Sequence, residues 1–508
     1  MAGRVKNASR NIVFGLILKV YQIAAPFLTR TLMIHFMSVE YTGLNGLFTS
    51  ILHVLNLAEL GVGSAMVYSM YKPIVEKDNK KLCILLNTYR AYYRIVGGII
   101  AVIGLLLTPF IPYLIKGNPV PELNIYLLYL MNLGATVLSY WLFAYKSSII
   151  QAHQRNDVIS KISIISSTVL YLIQIASIMV FKNYYIFVAA TIISQILTNI
   201  IIAVVSRRMY PDIRPDGKLE KDERKEINKR IKDLFTAKVG SVIVNSADTL
   251  VISVFLGVTM LAIYQNYFYI ITALNGILTI VYHACMAGIG NSVIVETKEK
   301  NYNDLRKFTF IIMWLVGLCS VYLLCLYQPF IELWVGKDLQ LEFAAVICLA
   351  MYFFVYQFNQ LLCTYKDAAG IWHEDRYRPL ITALANLVLN IITVQFIGIY
   401  GVILSTVLTY LFIGSPWLVK NLFSTIFEHK HLFDYVKKIL FYTFVSIIAA
   451  VLSYYTCIWI DGPVAVVLIV RLLICTIVVN IVYFACYFPL RDYRESKKII
   501  KKVIKRKD

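Results

Sequence analysis

Three ionisable side chains stand inside the first two long apolar runs of this 508-residue chain. Lys19 and Arg30 lie in the run 12–36, and Glu59 lies in the run 43–70. A charge at mid-bilayer costs roughly 3 kcal/mol on insertion scales, so each of these groups needs a partner or a watery cavity. Lys19 and Arg30 are eleven residues apart, which on an α-helix returns them to within roughly 20° of one face and some 16 Å apart along it. Two cations on one face at two depths can escort an anionic group such as a phosphate, which a guanidinium binds through two parallel hydrogen bonds. The alternatives are that both snorkel to the interfaces, and that Glu59 sits in a buried ion pair that fixes helix packing.

A second tier of polar residues extends this set. Arg90 and Arg94, four apart, share one face near the start of the third run, its cytoplasmic end, where they could capture an anionic group or rest among headgroups. Asp248 lies near the middle of the run 234–256 with no Lys or Arg within a turn in sequence. It is a candidate partner for Lys19 or Arg30, or a site for a coupling ion, proton or sodium. Asn245, Gln265, Asn266 and Gln357 could bind a polar guest or bond neighbouring helices. Tyr264, Tyr267 and Tyr269 could offer aromatic faces to such a guest. Lys146, Lys238 and Arg471, nearer span ends, read as snorkelling groups.

The elements that must position these residues follow from composition. Hydrophobic residues make up 59% and charged residues 15%, with mean hydropathy +0.68. That is an all-α polytopic membrane protein, because the apolar runs are long and lack strand alternation. About fourteen spans are expected, at 12–36, 43–70, 84–114, 123–150, 162–181, 185–206, 234–256, 261–290, 308–334, 341–364, 379–397, 400–419, 439–460 and 464–488. The connections near Gly398 and Asp461 must be tight turns. The opening run exceeds a signal peptide's apolar region, so it reads as an uncleaved span.

The net charge of +20 does not point to nucleic acid. About 39 of the 49 Lys and Arg fall in alternate connections and the termini, against three (Lys116, Lys182 and Lys337) on the other side. The positive-inside rule then places both termini in the cytoplasm. The longest connection, 207–233, is charge-dense. Ile227 and Ile231 suggest an amphipathic helix on the inner leaflet, and the tail 489–508 repeats that pattern. Cys285, Cys319, Cys325, Cys348, Cys363, Cys457, Cys475 and Cys486 sit in apolar runs without CxxC spacing. They read as small core residues, with no metal or other cofactor expected.

Span seven, with Lys238 and Asp248, echoes span one, with Lys19 and Arg30. Gly61-Val62-Gly63-Ser64-Ala65 in span two has a counterpart in Ala287-Gly288-Ile289-Gly290-Asn291 in span eight. Two parallel halves are expected: a lobe at 1–206, a linker at 207–233, a second lobe at 234–424, then 425–488 and the basic tail 489–508.

Two stretches carry a family resemblance. Arg30, Glu40-Tyr41-Thr42-Gly43-Leu44, Leu57-Ala58-Glu59-Leu60-Gly61-Val62-Gly63 and Tyr71-Lys72-Pro73-Ile74 form the first. Tyr365-Lys366-Asp367-Ala368-Ala369-Gly370-Ile371-Trp372-His373-Glu374-Asp375-Arg376-Tyr377-Arg378-Pro379-Leu380, followed by Asn386 and Asn390, forms the second. The chain resembles the Wzx-like polysaccharide flippases of the multidrug/oligosaccharidyl-lipid/polysaccharide exporter superfamily along its whole length. The resemblance implies two six-helix lobes plus two C-terminal helices around a central cavity, working by alternating access. It also implies an undecaprenyl-diphosphate-linked oligosaccharide as cargo, moved from the inner to the outer leaflet of the bacterial plasma membrane.

Other readings compete with that one. A multidrug antiporter of the same superfamily would favour carboxylates, whereas intramembrane cations outnumber them here. A carrier of the peptidoglycan precursor is a close variant. A membrane polymerase or transferase would need a catalytic group at the surface, and the seven His are scattered; His373 sits in a loop where packing or gating is the simpler role.

Overall fold

The computed structural model describes residues 2–117 and 120–505; the side chains of residues 2–9, 499–505 and a few helical positions, Lys238 and Asn245 among them, lie outside what is described. The chain divides into two compact units, 1–262 and 263–508. Among the described residues ten helices are long and apolar enough to cross a membrane, or twelve when each of two bent pairs counts as one span. The apolar stretch Val242–Phe255 and the hairpin inside Arg378–Thr425 account for the rest of the fourteen.

The first unit contains α1 (Ala2–Phe36), α2 (Val39–Leu55), α3 (Val62–Glu76), α4 (Asn79–Leu107), α5 (Ile125–Trp141), α6 (Ser147–Ala152), α7 (Asn156–Met179), α8 (Tyr184–Met209) and α9 (Lys221–Phe255). Helix α1 packs along α7, α7 on α8, α8 on α5 and α5 on α4. One face of α1 makes the α7 contact. Arg10 reaches Asp157 at 2.6 Å, Lys161 stacks over Phe14, and Tyr21 meets Thr168 at 2.9 Å. Asp157, fully buried, also accepts from Arg155 at 2.9 Å, which ties the starts of α1 and α7 together.

Two spans of this unit are broken. The second bends by 41° at Leu60 and Gly61, just after a short 3-10 turn at Asn56–Glu59, and the fourth bends by 47° between Trp141 and Ala144. Gly61 takes φ +88°, and a Cβ there would lie 2.8 Å from both the Ile231 carbonyl oxygen and the Leu234 Cβ of α9. Glycine is required by the left-handed backbone and by the closeness of α9. The amphipathic segment expected on the leaflet is the opening of α9 and runs unbroken into the span. Within the first unit it docks on α3 and α4: Glu223 pairs with Lys81, Tyr92 donates to Asn228 at 2.8 Å, and Arg230 stacks over Tyr68 at 4.8 Å.

The second unit holds most of α10 (Val258–Val295), then α11 (Lys298–Val335), α12 (Phe343–Ala368), α13 (Arg378–Thr409), α14 (Ser415–Thr425), α15 (Leu432–Ile458), α16 (Val464–Tyr487) and α17 (Arg491–Lys505). Helix α11 is central and contacts α12, α15, α16 and α17. Phe310, Met313, Tyr442, Val445, Tyr483 and Tyr487 form the core of that contact. Inside α13 the backbone leaves the helical region at Ile397 and Gly398, where the sequence places a tight turn. Its arms run antiparallel: Asn386 donates to Thr406 at 2.9 Å and Thr393 meets Ser405 at 2.9 Å.

Candidate functional site

The break in the second span places Glu59 at the wall of a cavity of about 470 Å³ inside the first unit. Glu59, Gly61, Gly63 and Ser64 come from the break and the start of α3. Tyr89 and Tyr93 come from α4, and Ser147 and Gln151 from the short arm α6 beyond the second break. Glu59 ends the 3-10 turn, and Gly61 in the left-handed region leads into α3, so the carboxylate stands at the break that opens on the cavity.

A chain of hydroxyls ends on the carboxylate. Tyr89 donates to the Tyr93 hydroxyl at 2.6 Å, and Tyr93 donates to Glu59 Oε1 at 2.8 Å. Tyr93 packs edge-on against Tyr140, whose hydroxyl donates to Asn56 at 3.1 Å. Gly63 makes room for this group, since a Cβ there would sit 3.1 Å from the Tyr89 hydroxyl and 3.2 Å from Glu59 Oε1. A carboxylate at a cavity wall can take a proton or a cation, or accept hydrogen bonds from a hydroxylated guest. Tyrosine rings supply stacking faces for the same guest.

Lys19 and Arg30, unlike Arg10, lie on the other side of α1 from its α7 contact. Lys19 and Arg30 are two and nine residues from Tyr21, which turns each about 160–180° away from the α7 seam. Lys19 is exposed; Arg30 is half-buried and donates to the Ala262 carbonyl at 3.1 Å and to Thr42 at 3.5 Å. Arg90 is half-buried and donates to Asn87 at 2.7 Å, while Arg94 is exposed and its carbonyl accepts from Trp141. Asp248 is 7% exposed within α9, two residues from Ser246, whose hydroxyl lies 3.3 Å from His53 Nδ1. The Asn245 side chain lies outside the described residues.

The amides expected to bind sugar divide differently. Gln357 is 1% exposed, donates to Asn275 at 2.6 Å and accepts from Tyr282 at 3.1 Å, so it joins α12 to α10. Asn266 is fully buried and Gln265 half-buried, both on α10. Tyr267 is also enclosed, its hydroxyl engaged with Gln328 and the Leu341 N–H.

Sequence reasoning missed Tyr89, Tyr93, Ser147 and Gln151. The signal for the first two was available, because a Tyr pair at i,i+4 one position before Arg90 and Arg94 makes a separate stripe on α4. The loop motif around His373 proves structural at Asp375, which Arg378 grips at 2.6 and 2.8 Å, while His373 itself is exposed.

Broken spans, charges inside apolar helices and a carboxylate-walled cavity define a polytopic helical membrane protein with an internal polar site. The chain belongs to the polysaccharide biosynthesis protein family, which it matches over residues 8–286. Among solved structures it is similar to the lipid II flippase MurJ in an inward closed conformation, with TM-score 0.69 and 19% identity, covering 94% of this chain and 99% of that one. It is also similar to an inward-facing multidrug resistance transporter of the MATE family and MOP superfamily, with TM-score 0.58 and 12% identity, covering 80% and 97%. A MOP superfamily transporter from Pyrococcus furiosus matches with TM-score 0.52 and 11% identity, covering 82% and 94%. At these identities the likeness describes the fold. No curated protein matches by sequence.

Proposed function

We propose that the protein is a transporter that carries a diphosphate-linked oligosaccharide on a polyprenyl lipid from the inner to the outer leaflet of a bacterial plasma membrane. The observation that carries this reading is the placement of Lys19 and Arg30 together on the α1 face turned away from α7, inside a span, in a chain of the polysaccharide biosynthesis family. Carrying an anionic headgroup through hydrocarbon unaided is prohibitive. Cations at two depths replace its lost hydration, and Arg adds the fork geometry that suits phosphate. Membership of that family and the fold shared with a lipid II flippase both support this cargo class. The basic connections support termini on the cytoplasmic side.

Within this reading Arg90 and Arg94 collect the diphosphate at the inner leaflet, and Asp248 serves as a partner for Lys19 or Arg30 or as a coupling-ion site, whereas Gln357, held by Asn275 and Tyr282, serves helix packing. Glu59, on a cavity with Tyr89 and Tyr93, suits the glycan or a coupling ion, proton or sodium.

The experiment is export of surface polysaccharide in cells whose only copy carries K19A or R30A at normal membrane abundance. Loss of export with accumulation of the lipid-linked precursor supports the reading; full export in both variants rejects it. A second reading, efflux of cationic drugs, is favoured by one feature, the carboxylate and aromatic walls of the Glu59 cavity. Drug sensitivity of the E59Q strain with polysaccharide intact would favour it.

A further inference from the structure

Three cysteines far apart in sequence meet inside the second unit. Cys325 of α11, Cys457 of α15 and Cys475 of α16 are all buried, and their sulfurs lie within 4.8 Å of one another. The Cys457 and Cys475 sulfurs are 3.6 Å apart. No pair shares a ligand-like spacing, so the sequence shows three core residues where the fold assembles a triad.

Packing alone does not account for its surroundings. Ser453 lies four residues before Cys457 on the same face of α15, and its buried hydroxyl has no hydrogen-bond partner among the described residues. Arg471, one turn before Cys475 on α16, donates to the Cys325 carbonyl at 3.5 Å, and its buried Nε has no acceptor among the described residues. A cation and an idle hydroxyl beside three thiols are what an anionic centre would need.

We propose that this triad binds one monovalent copper ion. A metal with metal–sulfur bonds of about 2.3 Å in a trigonal plane holds its sulfurs roughly 4 Å apart, which the triad meets with little adjustment. Thiolates are soft ligands that select Cu(I), and three ligands suit it, whereas structural zinc takes four. Binding releases the protons of all three thiols to solvent, because the thiolate is the ligand. The ion and three thiolates carry two negative charges, of which the Arg471 guanidinium offsets one, and the idle Ser453 hydroxyl is a donor for the remainder. The bound ion ties α15 and α16 to α11.

The test uses the full-length protein, purified anaerobically in detergent and titrated with Cu(I) held by a chromophoric competitor. The wild-type chain is expected to withdraw one more equivalent than the C325S/C457S/C475S variant, which keeps the other six cysteines. X-ray absorption should show sulfur neighbours only. The single variant C475A covers the case in which the triple variant does not fold, and it should lose the same equivalent. R471M keeps every sulfur and should weaken binding about tenfold. Equal copper uptake in wild type and C475A, retention of zinc but not copper, or a Cys457–Cys475 disulfide in the anaerobically purified protein would each overturn the proposal.

Discussion

The Tyr93 hydroxyl donates to Glu59 Oε1 at 2.8 Å, and it does so because the second span breaks at that residue. Removing the donor isolates the relationship. Y93F is expected to leave the fold intact and lower stability by about 1 kcal/mol, the central value for one hydrogen bond. It should also change the pH at which transport is half-maximal. An identical pH profile in Y93F and E59Q, each matching wild type, would confine both residues to packing.

Gly61 tests the break itself. At φ +88° a side chain adds backbone strain on the order of 1–2 kcal/mol, and a Cβ also meets α9 at 2.8 Å. G61A is therefore expected to lower the unfolding midpoint and to loosen α9 from α3, read as faster hydrogen exchange around Ile231 and Leu234. G98A is the control, because a Cβ at Gly98 meets nothing within 4 Å. Equal stability of the two variants would mean that α9 yields freely.

Much of the helical architecture was legible because a bilayer permits few solutions: a long apolar run must be a helix, and Gly398 between two such runs must turn. The shared face of Lys19 and Arg30 follows from helical periodicity. What stayed hidden depends on contacts across sequence. The run 43–70 is apolar throughout, so nothing in its hydropathy marks the bend just after Asn56–Glu59. Gln357 looks identical in sequence whether it faces a guest or Asn275, and only the packing of α12 on α10 decides. The Cys325, Cys457 and Cys475 triad has no spacing signature because its members come from three helices.

Asp157 offers a local stability test. It is fully buried and holds Arg10 at 2.6 Å and Arg155 at 2.9 Å, both of which keep some exposure. Breaking a buried pair costs about 3–5 kcal/mol, and the partial exposure of both arginines brings the expected loss for D157N to about 2 kcal/mol. The amide keeps the shape, so the loss should appear as fraying of α1 from α7, measured by cysteine accessibility at Phe14 replaced by Cys. Protection equal to wild type would show that the apolar seam suffices.

Asp492 tests the acid limb of the second unit. Burial alone would push its carboxyl up, but hydrogen bonds from Tyr442 at 2.8 Å and Lys438 at 3.0 Å, with the Lys438 and Arg306 charges, outweigh burial and hold it below the usual carboxylate value. Arg306 adds a bond of 2.6 Å. The folded state thus binds the proton less tightly than the unfolded chain, whose Asp titrates near about 3.9. The stabilisation is complete above that value and drains away as pH falls through it toward the lowered folded value. D492N is expected to cost stability at neutral pH, because Arg306 exchanges a carboxylate at 2.6 Å for Glu495 alone at 3.6 Å, and to flatten the loss as pH falls below about 4. Thermal midpoints of wild type and D492N across that window provide the measurement. Parallel acid limbs would assign the effect to other carboxylates, with Glu495 next, since Arg491, Arg306 and Lys307 hold it low against the same opposing burial.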